Sequence, residues 1–85
     1  MKVGIINMEF IRKIKYGTQE ELKEILKDYV FELVENINGY KTYVVKDGYK
    51  NFELMEFPRN TETYSLSFNN LIYRSIKKEY VNIKE

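Results

Sequence analysis

Residues 18–39 read TQEELKEILKDYVFELVENING, and the element they form decides the fold. Thr18 followed by Glu21 has the form of a capping box, in which the hydroxyl takes the backbone N–H three residues on while the carboxylate reaches back. Leu22, Ile25, Leu26, Tyr29, Val30 and Leu33 then recur at three- and four-residue spacings, which places them on one side of a helix. The spacing predicts a long helix from Thr18 to about Asn36, with Asn38 and Gly39 closing it as a C-terminal cap.

On that helix the charges segregate. Glu20, Glu21, Glu24, Asp28, Glu32 and Glu35 fall within one third of the circumference, and Lys23 and Lys27 fall outside it. Glu20, Glu24, Asp28 and Glu32 stand at successive i,i+4 positions, where each like-charge pair costs about 0.2–0.5 kcal/mol in an isolated helix. Phe31 lies inside the same arc, pointing away from the apolar side. An exposed aromatic ringed by carboxylates is an anchor for a basic protein surface. A plain solvated face is the competing explanation, with Phe31 tucked under a later helix.

Working outward, Phe10, Ile11 and Ile14 followed by Gly17 predict a first helix over about residues 8–16, closed by the glycine. Residues 40–46 and 49–57 are rich in β-branched and aromatic side chains, and Asp47-Gly48 between them is a two-residue hairpin signal. With that turn Tyr43 faces Phe52, and Val45, Phe52 and Leu54 share one side. Residues 58–63 read as a loop. Tyr64, Leu66 and Phe68 alternate with Thr63, Ser65 and Ser67, which favours a third strand over a helix starting near Ser65. Leu71, Ile72, Ile76 and Tyr80 lie on one helical face, so a C-terminal helix is expected before the polar tail of residues 82–85. Lys2 to Ile6 offer an edge strand. The fold expected is therefore α+β: two N-terminal helices, the second long, an antiparallel meander of two to three strands with an Asp-Gly hairpin, and a C-terminal helix, as one small domain over residues 1–85.

Composition removes most chemistry. The chain has 85 residues and lacks His, Cys, Trp and Ala. Without His and Cys there is no imidazole base, thiolate nucleophile, disulfide or common soft metal ligand. There is no glycine-rich phosphate loop, nucleophile elbow or calcium-loop spacing, so no cofactor, metal or catalytic residue is expected. Glu53 with Glu56 or Glu62 is the one carboxylate pairing that suggests itself, and it carries no spacing that acid–base catalysis requires. At 44% hydrophobic and 32% charged, the chain should fold. At this length, with no staple, a homodimer stays open.

The apolar run at the start is too short for a signal peptide, and no stretch approaches the roughly 20 apolar residues of a membrane span, so the expectation is a cytoplasmic protein. The net charge of +1 predicts no bulk attraction to nucleic acid or membrane, but the charge is blocked: +3 over residues 1–17, −4 over 18–39, +2 over 40–50, −2 over 51–63 and +2 over 64–85.

These observations predict a non-enzymatic protein that binds a protein with a basic surface through Glu20, Glu24, Asp28, Phe31, Glu32 and Glu35. A short chain with Lys far in excess of Arg, no catalytic groups and an acidic face has the profile of a phage or mobile-element inhibitor of a nucleic-acid-handling enzyme, of the anti-CRISPR kind. The alternative surface is the basic and aromatic hairpin, where Tyr40, Lys41, Tyr43, Lys46, Tyr49 and Lys50 suit phosphate contact with base stacking in a small nucleic-acid-binding regulator. A structural or oligomerisation domain is the third reading.

Overall fold

In the computed structural model, residues 8–45 and 51–84 are described. Helix α1, Met8–Tyr16, ends where sequence places its end: Gly17 donates its N–H to the Lys13 carbonyl at 2.9 Å. Helix α2, Gln19–Leu26, opens on the expected capping box, with Glu21 N–H on Thr18 Oγ1 at 3.1 Å and Thr18 N–H on Glu21 Oε1 at 2.8 Å.

From there the chain departs from the expected course. The helix stops at Leu26, and Val30–Ile37 is a strand, β1. Asn38 and Gly39 have φ of 55° and 89°, and Ile37 pairs with Tyr40. They form a two-residue type I′ hairpin turn, which needs positive φ at both positions, and not a helix cap. Once Tyr40–Val45 is available as β2, the run of β-branched and aromatic residues from Tyr29 to Val34 gains more from a ladder than from further helical turns.

Strand β3 is Phe52–Phe57, β4 is Asn60–Phe68, β5 is Arg74–Lys77, and after a short 3-10 turn, Lys78–Tyr80, comes β6, Asn82–Ile83. The third strand is thus present, and the expected loop at 58–63 shrinks to Pro58 and Arg59. The expected C-terminal helix is replaced by β5, the 3-10 turn and β6. Asn69 and Asn70 reverse the chain with φ of 55° and 61°, and Arg74-Ser-Ile-Lys77 then alternates against β4, burying Ile76 beside Tyr64. The hairpin register also differs: Tyr43 pairs with Leu54, two residues from the expected Phe52. A two-residue shift preserves faces, so Val45, Phe52 and Leu54 still share the buried side. The Asp47-Gly48 turn and the Lys2 to Ile6 edge strand lie outside the described residues.

Together the strands make a six-stranded mixed sheet in the order β5-β4-β3-β2-β1-β6, parallel only between β1 and β6. Residues 78–81 alone separate β5 from β6, a reach of at most about 18 Å. Opposite edges of a flat six-stranded sheet would stand roughly 24 Å apart. The sheet therefore curls, and its concave side holds the core: Phe31, Tyr43, Val45, Phe52, Leu54, Tyr64, Leu66, Phe68 and Ile76, closed by Ile14 of α1 and Leu22 and Leu26 of α2. Phe10 joins a ring cluster there, 6.3 Å from Phe52 and 5.9 Å from Phe68.

Helix α2 bridges the gap between the sheet's two edges. The Gln19 carboxamide accepts from Lys77 N–H at 3.1 Å and donates to the Ser75 carbonyl at 3.0 Å, standing in for a neighbouring strand along β5. Asn82 donates to the Lys27 carbonyl at 3.0 Å and ties β6 to the other end of the helix. Gln19→Ala is expected to cost about 1–2 kcal/mol in denaturant unfolding and to speed amide exchange at Lys77, because two backbone groups lose their partners.

Candidate protein-binding surface

The expected acidic arc is not one surface. Glu20, Glu21 and Glu24 are exposed on α2, Asp28 follows its end, and Glu32 and Glu35 belong to β1. Phe31 is 0% exposed, packed on the concave side, and its neighbour Glu32 points to the opposite face. The helix ends five residues before Phe31, so the 100° spacing that gathered these residues does not apply beyond Leu26.

The acidic residues on α2 are also engaged locally. They line a cleft of 320 Å³ with Lys13 and Ile25. Glu20 accepts from the Tyr80 hydroxyl at 3.3 Å, Glu21 is held in the capping box, and Glu24 pairs with Lys27 at 2.9 Å. The Lys27 hydrogen bond holds the Glu24 carboxyl below its ordinary range. Each carboxylate has a role in ordering α2 or its contact with the 3-10 turn.

The basic hairpin surface is likewise divided. Tyr40 projects from the convex face, whereas Lys41 lies on the concave side opposite Glu56, and Tyr43 is core, its ring 5.3 Å from Tyr64. Lys46, Tyr49 and Lys50 fall outside the described residues. Glu53 and Glu56 take opposite faces of β3, and Glu62 stands five positions along β4 from Ser67, the partner of Glu53, so neither carboxylate pairing that the sequence suggested is assembled. Among the described residues no cluster of three or more His, Cys, Asp or Glu side chains is placed to hold a metal. No described helix is long and apolar enough to cross a membrane.

Glu56 instead belongs to a buried structural cluster. Its Oε1 is 3.0 Å from Lys78 Nζ, and that ammonium lies 5.1 Å from the centre of the Tyr64 ring. Burial, with Tyr43 and then Glu56 beside it, pushes the Tyr64 phenol well above the ordinary tyrosine range. A phenol raised in the folded state contributes stability that is complete below the unfolded value near pH 10 and is lost as pH climbs toward the folded value. Spectrophotometric titration should show one tyrosine ionising only together with alkaline unfolding, and Tyr64→Phe should remove that late step.

The convex face of β1 to β3 carries a different arrangement. Both helices pack on the concave side, and no described helix covers this one. At its tip Ile37 pairs with Tyr40, and the Tyr40 ring meets Phe57 edge-on at 5.9 Å. These three side chains are 56%, 51% and 37% exposed. Pro58 sits beside them against Gly39, where an added Cβ would meet the ring at 3.1 Å. The next row across the sheet is Glu35, Thr42, Met55 and Ser65, and the one after it Glu32, Val44, Glu53 and Ser67. An apolar row thus borders a field carrying three carboxylates, one of them within 3.9 Å of Lys84.

Glu32 and Glu35 are the two residues of the expected site that this face brings together. Ile37, Phe57 and Glu53, which the sequence reading places on neither binding surface, lie on the same face, and so does Tyr40, which that reading groups with the basic hairpin. The signal was Ile37-Asn-Gly-Tyr40 read as a hairpin, which puts Ile37 and Tyr40 side by side. Comparison with protein-family models, with curated proteins and with solved structures finds no match.

Proposed function

We propose that this protein acts by binding another protein, one with a basic and partly apolar surface, through the convex face of β1 to β3. The observation that carries the reading is the row Ile37, Tyr40 and Phe57, more than a third exposed on a sheet face that no described helix covers and bordered by Glu32, Glu35 and Glu53. Core positions do not require large apolar groups here, and grouped exposed apolar residues rimmed by polar ones mark interaction surfaces. The aromatic pair supplies anchors that are rigid before binding, and the carboxylates steer a positive surface and fix its register. A lysine- and arginine-rich groove is the common feature of enzymes that handle nucleic acid. Occupying such a groove would inhibit the enzyme, and the chain's lack of imidazole and thiol groups accords with a role in occupancy and not in turnover.

The test is affinity capture from a nuclease-treated lysate of the source cells. The wild-type protein should retain a protein partner whose recovery falls with salt. Ile37→Ser, Tyr40→Ser and Phe57→Ser together should abolish capture while leaving the circular dichroism spectrum unchanged. Glu32→Gln, Glu35→Gln and Glu53→Gln should flatten the salt dependence. Capture that survives the triple serine change, or that vanishes on nuclease treatment, would reject this reading.

A further inference from the structure

The two edges of the sheet are treated differently. The β5 edge is only four residues long, carries Arg74 and Lys77, and has its free backbone groups met by the Gln19 carboxamide. Short length, basic side chains and a covering group are the standard protections against strand addition. Strand β1 at the other side is eight residues long, yet β6 pairs only with Val30 and Phe31. The Lys84 N–H on the Phe31 carbonyl at 2.7 Å is the last bond of that ladder. Among the described residues, no strand pairs with the outer edge of β1 over residues 33–37.

This stretch is longer and more apolar than the β5 edge, and its protection is limited to Glu35 and the bulge before it. Leu33, Val34 and Ile37 are 47%, 55% and 56% exposed, and no lysine or proline interrupts them. Because the Phe31 carbonyl faces β6, alternation along the strand turns the N–H and C=O of Leu33 to the same side, where none of the described strands pairs with them. The bulge between Leu33 and Glu35 takes Val34 out of the β2 ladder. On the other side of that bulge, counting back from the Ile37–Tyr40 pair that closes the hairpin, the backbone groups of Asn36 face outward. The described charges beside the edge on the convex face are Glu32 and Glu35, and Lys84, at the end of the β6 ladder, lies 3.9 Å from Glu32.

We infer that β1 receives an added strand from the protein partner: an extended segment in which Lys or Arg alternates with apolar residues. Its main chain continues the ladder that β6 begins, its basic side chains meet Glu32 and Glu35 on the convex face, and its apolar ones meet Leu33 on the other. A second copy of this chain fits less well, since bringing two β1 edges together sets Glu32 and Glu35 of one against those of the other. The inference rests on the proposed protein-binding role and names how the partner engages.

A short synthetic peptide of alternating lysine and valine, titrated into the isotopically labelled protein, tests it. The peptide should shift the backbone amides of residues 33–37 and slow hydrogen exchange at Leu33 and Asn36. A version with proline at its centre, or one with glutamate for lysine, should bind about tenfold more weakly or worse, and Glu35→Lys should reverse the preference between the lysine and glutamate peptides. Shifts confined to Thr42, Val44 and Met55, with exchange at Leu33 and Asn36 unchanged, would overturn strand addition and leave face docking intact. Dimerisation of the protein alone, mapped to the same amides, would overturn it in favour of a second copy. No response to the peptide would also overturn it, while the serine-variant capture experiment reads the convex face independently.

Discussion

Phe31→Ala is expected to cost about 3–5 kcal/mol, enough to leave much of the protein unfolded, since a domain of this size has only about 5–15 kcal/mol in hand. Phe31 is fully buried on the concave side, in register with Val45 of β2 on one flank and Ile83 of β6 on the other. Removing the ring opens a cavity where the edges of a curled sheet are drawn together, and it takes away the side chain that Ile83 of β6 stands beside. The next residue gives the control. Glu32→Gln should change stability by less than about 0.5 kcal/mol, because its side chain faces outward and its ion pair with Lys84, at 3.9 Å, is solvent-accessible. Urea unfolding of both variants checks the pair of outcomes. Were residues 18–36 one helix, the sizes would be reversed in kind: Phe31 would sit on a wet acidic face, and truncating it would cost little.

Lys78→Met should have the next largest effect, about 2–3 kcal/mol, set below the roughly 3–5 kcal/mol of a fully buried broken pair because Lys78 keeps some access to water. Lys78 Nζ is the cation within 3.0 Å of Glu56, whose residue is only 8% exposed. Methionine fills the volume over the Tyr64 ring and leaves the carboxylate with its charge uncompensated. The double change Glu56→Gln with Lys78→Met should recover most of the loss, since a neutral amide is far cheaper to bury than an unpaired carboxylate. If the two single changes simply add in a thermodynamic cycle, the cluster does not couple β3 to the C-terminal turn.

What was legible in the sequence was what short-range chemistry settles. Gly17 ends α1, and Thr18 with Glu21 starts α2, because each device is complete within four residues. The third strand showed itself through strict alternation at Tyr64, Leu66 and Phe68. The end of α2 was hidden because Tyr29, Val30 and Leu33 satisfy a helical spacing while Phe31 and Leu33 satisfy a strand's. Asn38-Gly39 serves equally as a helix cap and as a type I′ turn. The ladder with Tyr40–Val45 decides between them, and that is a pairing between strands. Leu71 illustrates the same limit at the C-terminus: it fits a helical face with Ile72 and Ile76, yet it is 79% exposed, because Asn69 and Asn70 turn the chain before it.

The candidate surface was harder still. Ile37, Tyr40 and Phe57 come from three strands, and they become neighbours only when a turn and a register are both known. The acidic residues illustrate the converse. Six of them share an arc on an ideal helix, but a change of element after Leu26 sends Glu32 and Glu35 to a sheet face and leaves Glu20, Glu21 and Glu24 bound to local partners.

Hydrogen exchange of the complex with the captured partner tests the central claim most directly. Amides of β1, β2 and β3 around Ile37, Tyr40 and Phe57 should exchange more slowly in the complex than in the free protein, with residues 19–28 unchanged. Protection confined to residues 19–28, with the β1 to β3 amides unaltered, would contradict the assignment of the binding surface to the sheet.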